Sequence, residues 1–522
     1  MMSCAINQRK KGFTQPMKEE ETAMNLDDKV KVLKEHQKKL KAYNHAASLL
    51  FYDASTSMPA GAAESMSATT GVLSGEIYSL TVNPEFKTLL EDLYGQRQEL
   101  DFQTRREVEE LNEEQVKMAK VPKEEVVAME EAQTKANHYW EVAKKNNDFS
   151  IFAPHLEKLI AMKKRYAEYI NPGGDVYDTL LNEFEKGMTK AQMDPFFDAL
   201  REKLVPLIQS VGAVQQPDTS FLTGPFDIET QKELSEYVMD VMGIDKERCI
   251  LRETEHPFTI EFSKNDVRIT TKYLEEDLTS NLYSVIHESG HGMYELSIDD
   301  ALQFSVLGAG ATTAIHESQS RLWENYIGRS LPFCQLIFPK VKELFPAQMK
   351  DVTAEAFYRA VNVAKPSLIR TDADELTYAL HVMVRYEIEK RMFDGTLSVS
   401  ELPAEWNRLY KEYLGIDVPD DTRGVLQDAH WAGGAFGYFP SYALGTAYSA
   451  QIYAVLREAV DVDACCEKGD FVPVRQWLTE KIYRHGMLYT ADELIQMTCG
   501  KPFNPAYYID YLEKKFKNLY AL

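Results

Sequence analysis

The sequence predicts a mainly α protein: one large helical body, divided into two lobes by a groove, with a small β-hairpin beside the reactive centre. Three observations predict it. Apolar residues recur every three or four positions along most of the 522 residues. Gly- and Pro-rich breaks are few, and neither an internal repeat nor a low-complexity linker separates domains. Period-two β-type runs are confined to one short region.

The helical signal starts with Leu26, Val30, Leu33, Leu40 and Tyr43, spaced by lysines. Residues 1–25 read as an N-terminal extension and residues 26–522 as a single domain. Phe102–Asn147, rich in Glu, Lys, Ala and Gln, predicts long exposed helices whose charges form solvated faces. Breaks are expected at Asn171–Gly174 and across Gly212–Pro225. The runs Phe258–Phe262 and Val267–Thr271, joined by the polar turn Ser263–Asp266, predict the hairpin. Such a strand can pair with an extended peptide or serve structure alone.

Composition sets limits. The chain is 44% hydrophobic and 27% charged, as expected of a globular protein with a large core. A net charge of −23 disfavours nucleic acid and anionic membranes as partners. The six cysteines are scattered, with no C-x-x-C pair, which suits a reducing compartment. The first residues lack the apolar segment of a secretory signal, and Glu19–Glu21 argue against a mitochondrial presequence. With no apolar stretch long enough to span a bilayer, a cytoplasmic location is expected.

The chemistry begins at His287-Glu288-Ser289-Gly290-His291, an H-E-x-x-H pattern preceded by the helical run Asn281–Ile286. Side chains four apart share a helix face, so two imidazoles can grip one metal ion while Glu288 reaches an activated water. Eleven histidines in this length give about 0.02 chance occurrences of the pattern. Gly290 and Gly292 would each cost a helix interior about 1 kcal/mol relative to alanine, which predicts a close approach there by another backbone or a ligand. A catalytic zinc site needs a third protein ligand and one open position. His316 and Glu317 are both on offer. As neighbours they project about 100° apart and do not suit the same ion. Glu317 has Arg321 at i+4 to orient its carboxylate, which makes it a sensible third ligand.

Five motifs then occur in order: HPF at His256–Phe258, HESGH at His287–His291, HESQ at His316–Gln319, IRTDAD at Ile369–Asp374 and GVLQDAHW at Gly424–Trp431. Together they resemble the carboxypeptidase Taq family of metallocarboxypeptidases of bacteria, archaea and trypanosomatids, from about Leu26 to the C-terminus. The resemblance implies Glu317 as third ligand, a nearly all-α fold with a deep substrate groove, and a homodimer. It also implies one zinc or cobalt ion per chain and release of single residues from peptide C-termini. Two features depart from the family. Phe51-Tyr52-Asp53 stands ahead of Met58-Pro59 where the family carries Trp-Asp, and the arginine common soon afterwards is absent from Ala60–Ser67.

Roles follow as expectations. Glu288 takes a proton from water and returns it to the leaving amine. His430 and Tyr442 are the candidate donors to the oxyanion. Arg370 is expected, by resemblance, to read the free C-terminal carboxylate of the peptide substrate, held by Asp372 and Asp374; Arg423 is second choice. His256 is expected to shape the substrate site. His36, His45, His138, His155, His381 and His485 belong to no motif. Two other readings stay open: an oligopeptidase or dipeptidyl carboxypeptidase of similar fold, and an inactive scaffold holding a structural ion.

Overall fold

The computed structural model describes residues 24–522. Residues 1–23 of the expected N-terminal extension lie outside the described residues. Asn25 caps the first helix, Leu26–Thr56, by accepting a hydrogen bond from the Asp28 N–H at 2.9 Å. Helices dominate the rest, and the described residues hold one three-stranded sheet.

The predicted stretch Phe102–Asn147 forms two helices, Phe102–Lys120 and Lys123–Asn146. Pro122 makes the break: it has no N–H to donate, and it holds Val121 in an extended conformation. The breaks expected at Asn171–Gly174 and Gly212–Pro225 follow the helices Phe149–Ile170 and Lys190–Gly212. One contiguous apolar core runs from Ala132 to Tyr520. A smaller core joins Leu33, Phe86, Leu89, Leu90, Leu93 and Val108 under the N-terminal helices.

The sheet consists of β1 (Cys249–Glu253), β2 (Thr259–Ser263) and β3 (Asp266–Thr271), in the order β1-β3-β2. β2 and β3 are the expected hairpin, with Thr259 opposite Ile269 and Glu261 opposite Val267. β1 was not expected. It pairs parallel to β3, with Cys249 opposite Val267. The sheet backs the helix Leu278–Leu296, which carries the H-E-x-x-H motif and is capped by Asp277.

That motif helix meets a second helix, Thr313–Arg321, capped by Thr312. The chain then continues as a π-helical turn, Leu322–Gly328. The second helix is caught between two glycines. A Cβ on Gly290 of the motif helix would lie 2.7 Å from the Ser320 Cα and 2.8 Å from the Gln319 carbonyl oxygen. A Cβ on Gly445, in the helix Pro440–Ala459, would lie 2.7 Å from the Glu317 Cβ and 2.8 Å from the Ala314 carbonyl oxygen. Only residues without a side chain allow these backbones so close. At Gly292, by contrast, a Cβ would make ordinary contact with the Ile269 side chain at 3.4 Å.

This difference predicts opposite responses to the same substitution. Gly290→Ala overpacks a backbone contact and is expected to destabilise by about 1–3 kcal/mol. Gly292→Ala gains roughly 1 kcal/mol of helix propensity and is expected to be neutral or stabilising. Thermal melts of the two variants check this; equal losses would contradict the packing described.

Candidate active site

The motif helix and the helix Thr313–Arg321 bring His287, His291 and Glu317 together. One ligand atom from each lies within 4.8 Å of the others, and this is the one such group of His, Cys, Asp or Glu found among the described residues. The Glu317 Oε2 atom is 3.5 Å from the Nε2 atoms of both His287 and His291. Two imidazole nitrogens and a carboxylate oxygen form the donor set of a catalytic zinc site. His316, next to Glu317, is not one of these three and lies instead behind His291.

Each donor is held from behind. The His287 Nδ1–H donates to Glu324 Oε2 at 3.0 Å. The Arg321 guanidinium donates to Glu317 Oε1 at 2.7 Å and to Glu324 Oε2 at 2.9 Å. Ser320 donates its hydroxyl to Glu317 Oε2 at 3.0 Å. His291 uses a longer relay. Its Nδ1 lies 2.5 Å from Nδ1 of His316, whose Nε2 lies 2.8 Å from Glu295 Oε1. With His291 Nε2 free to bind an ion, its Nδ1–H must donate to His316, and the His316 Nε2–H to Glu295. The Gly310 N–H also donates to Glu295, at 3.1 Å. Such outer partners fix the tautomer and aim the ligand.

Electrostatics favour ligand-ready forms. Burial works against the Glu317 charge, yet Arg321 and the two imidazoles bring its carboxyl well below the usual range. Burial pushes the His291 imidazole down to about 3, which keeps it neutral. Burial also raises the Glu288 carboxyl, against the lowering effects of His287 and Thr259. Thr259, on β2, lies with its hydroxyl oxygen 2.5 Å from Glu288 Oε2. The strand thereby fixes the carboxylate one residue away from the first imidazole.

These groups open onto one cavity of about 700 Å³, lined also by Pro257, Phe258, Tyr438 and Tyr442. Tyr442 thus forms part of the cavity wall. His430 stands behind it, with Nε2 3.4 Å from the Tyr442 hydroxyl, and is not itself a wall of the cavity. Burial pushes the His430 imidazole down to about 4, so it is neutral near pH 7.

Arg370 requires a correction. Neither Asp372 nor Asp374 holds it. Its Nε and Nη2 donate to Asp428 Oδ1 at 3.1 and 2.9 Å, and its Nη1 to the Tyr378 hydroxyl at 3.2 Å. Arg385 occupies the other Asp428 oxygen, at 2.8 and 2.6 Å. The IRTDAD and GVLQDAHW motifs thus clasp each other. Asp374 instead accepts the Leu376 and Thr377 N–H groups and caps the turn there. Arg370 is only 6% exposed and lies behind the cavity wall, 4.9 Å from the Tyr442 ring centre. Arg423 is exposed and paired with Asp420, and His256 is exposed; neither lines the cavity, although Pro257 and Phe258 beside His256 do.

Four residues of the site were missed. Glu295 follows His287 and His291 at the same four-residue interval, a legible signal. Tyr438 precedes Tyr442 by four. Glu324 depends on the π-helical turn, and Asp428 on a tertiary contact, so neither had a local signal.

Comparison with known proteins agrees with this geometry. A family model described as carboxypeptidase Taq (M32) metallopeptidase matches residues 32–516. Carboxypeptidase 1 of Bacillus subtilis is 42% identical over 487 residues, covering 93% of this chain and 97% of that protein. Thermostable carboxypeptidase 1 of Pyrococcus furiosus is 34% identical over 496 residues, covering 94% and 99%. Among solved structures, the M32 carboxypeptidase of Deinococcus radiodurans R1 superposes with a TM-score of 0.93 at 38% identity, over 95% of this chain and all of that one. With a match that leaves out so little of either partner, the chain belongs to the carboxypeptidase Taq (M32) metallopeptidase family and is a metallocarboxypeptidase.

Proposed function

We propose that His287, His291 and Glu317 hold one divalent cation, zinc in the first instance with cobalt as an alternative, and that Glu288 is the general base. The observation that carries this is the convergence of the three ligand atoms within 4.8 Å on the cavity that also holds Glu288. When bound, such an ion lowers the pKa of coordinated water and polarises a carbonyl. The nitrogen and oxygen donors suit zinc, whose preference is for few ligands and tetrahedral geometry.

Around it, this chain's own groups do the rest. Glu288 takes the proton of the attacking water and passes it to the leaving amine, with Thr259 holding the carboxylate in line. Tyr442 donates a hydrogen bond to the developing oxyanion, and neutral His430 keeps the phenol oriented. Two guanidiniums on one carboxylate leave the Arg370–Asp428–Arg385 cluster with a net positive charge just behind Tyr442. We read that cluster as drawing the C-terminal carboxylate of the peptide to this end of the cavity, so that the last peptide bond meets Glu288. In this reading Arg370 acts through the wall, while His256 and Arg423 have no direct contact with substrate.

The two apolar cores support a single domain with two lobes about the groove. The family resemblance supports a homodimer. No helix among the described residues is long and apolar enough to cross a membrane. The buried thiols Cys249, Cys334, Cys465, Cys466 and Cys499 are unpaired, which supports a reducing, cytoplasmic setting.

Three outcomes test this. Metal-loaded protein given an unblocked peptide should yield a ladder of single-residue losses from the C-terminus by mass spectrometry; dipeptide steps or internal fragments would contradict it. Glu288→Gln should keep its metal content and lose turnover by about 10²–10⁴-fold. Near wild-type turnover would remove Glu288 from the general-base role. His316→Ala should weaken metal affinity about 10–100-fold, read by competition with a chelator, because His291 loses its orienting partner. Unchanged affinity would show the relay to be incidental.

A further inference from the structure

One carboxylate on the catalytic cavity has no side-chain partner among the described residues; its own backbone N–H is the one hydrogen-bond donor to it. Glu261 is two residues along β2 from Thr259, so the two side chains share a strand face, and both line the cavity. Because Thr259 meets Glu288, Glu261 stands about 7 Å along the strand from the residue that holds the general base. Among the described residues, no other side chain hydrogen-bonds to it or pairs with it. Its charged surroundings are Glu295, His316 and Lys41. The His316 ring nitrogens are both taken, by His291 and Glu295. Glu295 is itself satisfied by His316 and the Gly310 N–H, so His316 has no ring nitrogen left for Glu261. Burial first, and then Glu295, push the Glu261 carboxyl up, a cost that a bound cation would relieve.

The Arg370–Asp428–Arg385 cations stand behind Tyr442, whereas Glu261 stands on a different element of the cavity wall, β2, beside Thr259. β2 is an edge strand, and its outer edge can pair with an extended peptide. A peptide paired with that edge would run past Thr259 and Glu261, which both line the cavity. On a shared strand face, opposite charges directly across from each other attract.

Resting on the reading that the carboxylate is drawn toward Arg370, we propose that Glu261 is a specificity-determining residue that selects peptides carrying lysine or arginine within the two residues before the one released. The ligand class is an ammonium or guanidinium side chain on the acyl side of the scissile bond.

The test uses the metal-loaded full chain and N-acetylated peptides ending in Ala-Ala-Leu, with Lys, Gln or Glu at each of the two positions before Leu. Leucine release gives kcat/KM. The wild type should favour Lys over Gln about tenfold at one of these positions. Glu261→Gln should bring that ratio close to one, and Glu261→Lys should turn the preference toward Glu. The ratio cancels any loss of active protein. An unchanged Lys-to-Gln ratio in Glu261→Gln, or a lysine preference confined to the released residue, overturns the proposal. Release of dipeptides from the Gln peptide instead overturns the single-residue release reading on which it rests, whatever the ratio.

Discussion

The site depends on how closely three helix backbones approach one another around Glu317. Gly290 on one side and Gly445 on the other remove the only atoms that would keep them apart. With a side chain at either place, the Glu317 carboxylate would move relative to His287 and His291. A displacement on the order of 1 Å is large when ligand distances of about 2.0–2.2 Å are required. The two glycines carry a helix-propensity cost, and close helix packing offsets it where it matters for the chemistry.

That packing would be of little use with flexible ligands. Arg321 links Glu317 to Glu324, and Glu324 fixes His287, so one guanidinium orders two of the three donors. Arg329 donates to the other oxygen of Glu324 at 3.2 Å. The π-helical turn after Arg321 makes this possible, since it changes the register in which Glu324 faces inward. Buried charges are tolerable only when paired and hydrogen-bonded, and here each has at least two partners. Glu261, half-buried on the cavity wall, has no such side-chain partner among the described residues.

Much of this was legible in the sequence, and the limits have a physical pattern. The paired imidazoles were readable because a helix puts positions four apart on one face, and Glu317 because Arg321 stands one turn away. The glycines signalled close approach, and Gly290 bears this out against Ser320. The hairpin followed from its alternation. What was missed lay in tertiary geometry. β1 is five residues long and gains its partner β3 only across the hairpin. Asp428 meets Arg370 from 58 residues away, while the nearer Asp372 and Asp374, the obvious choices by spacing, face elsewhere. His430 and Tyr442 could be named as candidate donors but not ordered; only packing puts the phenol on the cavity and the imidazole behind it.

The central claim is a three-ligand ion site with one open position, made by His287, His291 and Glu317. X-ray absorption spectroscopy on the zinc-loaded protein tests it most directly. The account predicts two imidazole nitrogens at about 2.0–2.1 Å, one carboxylate oxygen at about 2.0–2.2 Å and a further light-atom ligand from solvent. In Glu317→Ala the carboxylate contribution should vanish. A first shell with a third imidazole, or one unchanged by that substitution, would contradict it.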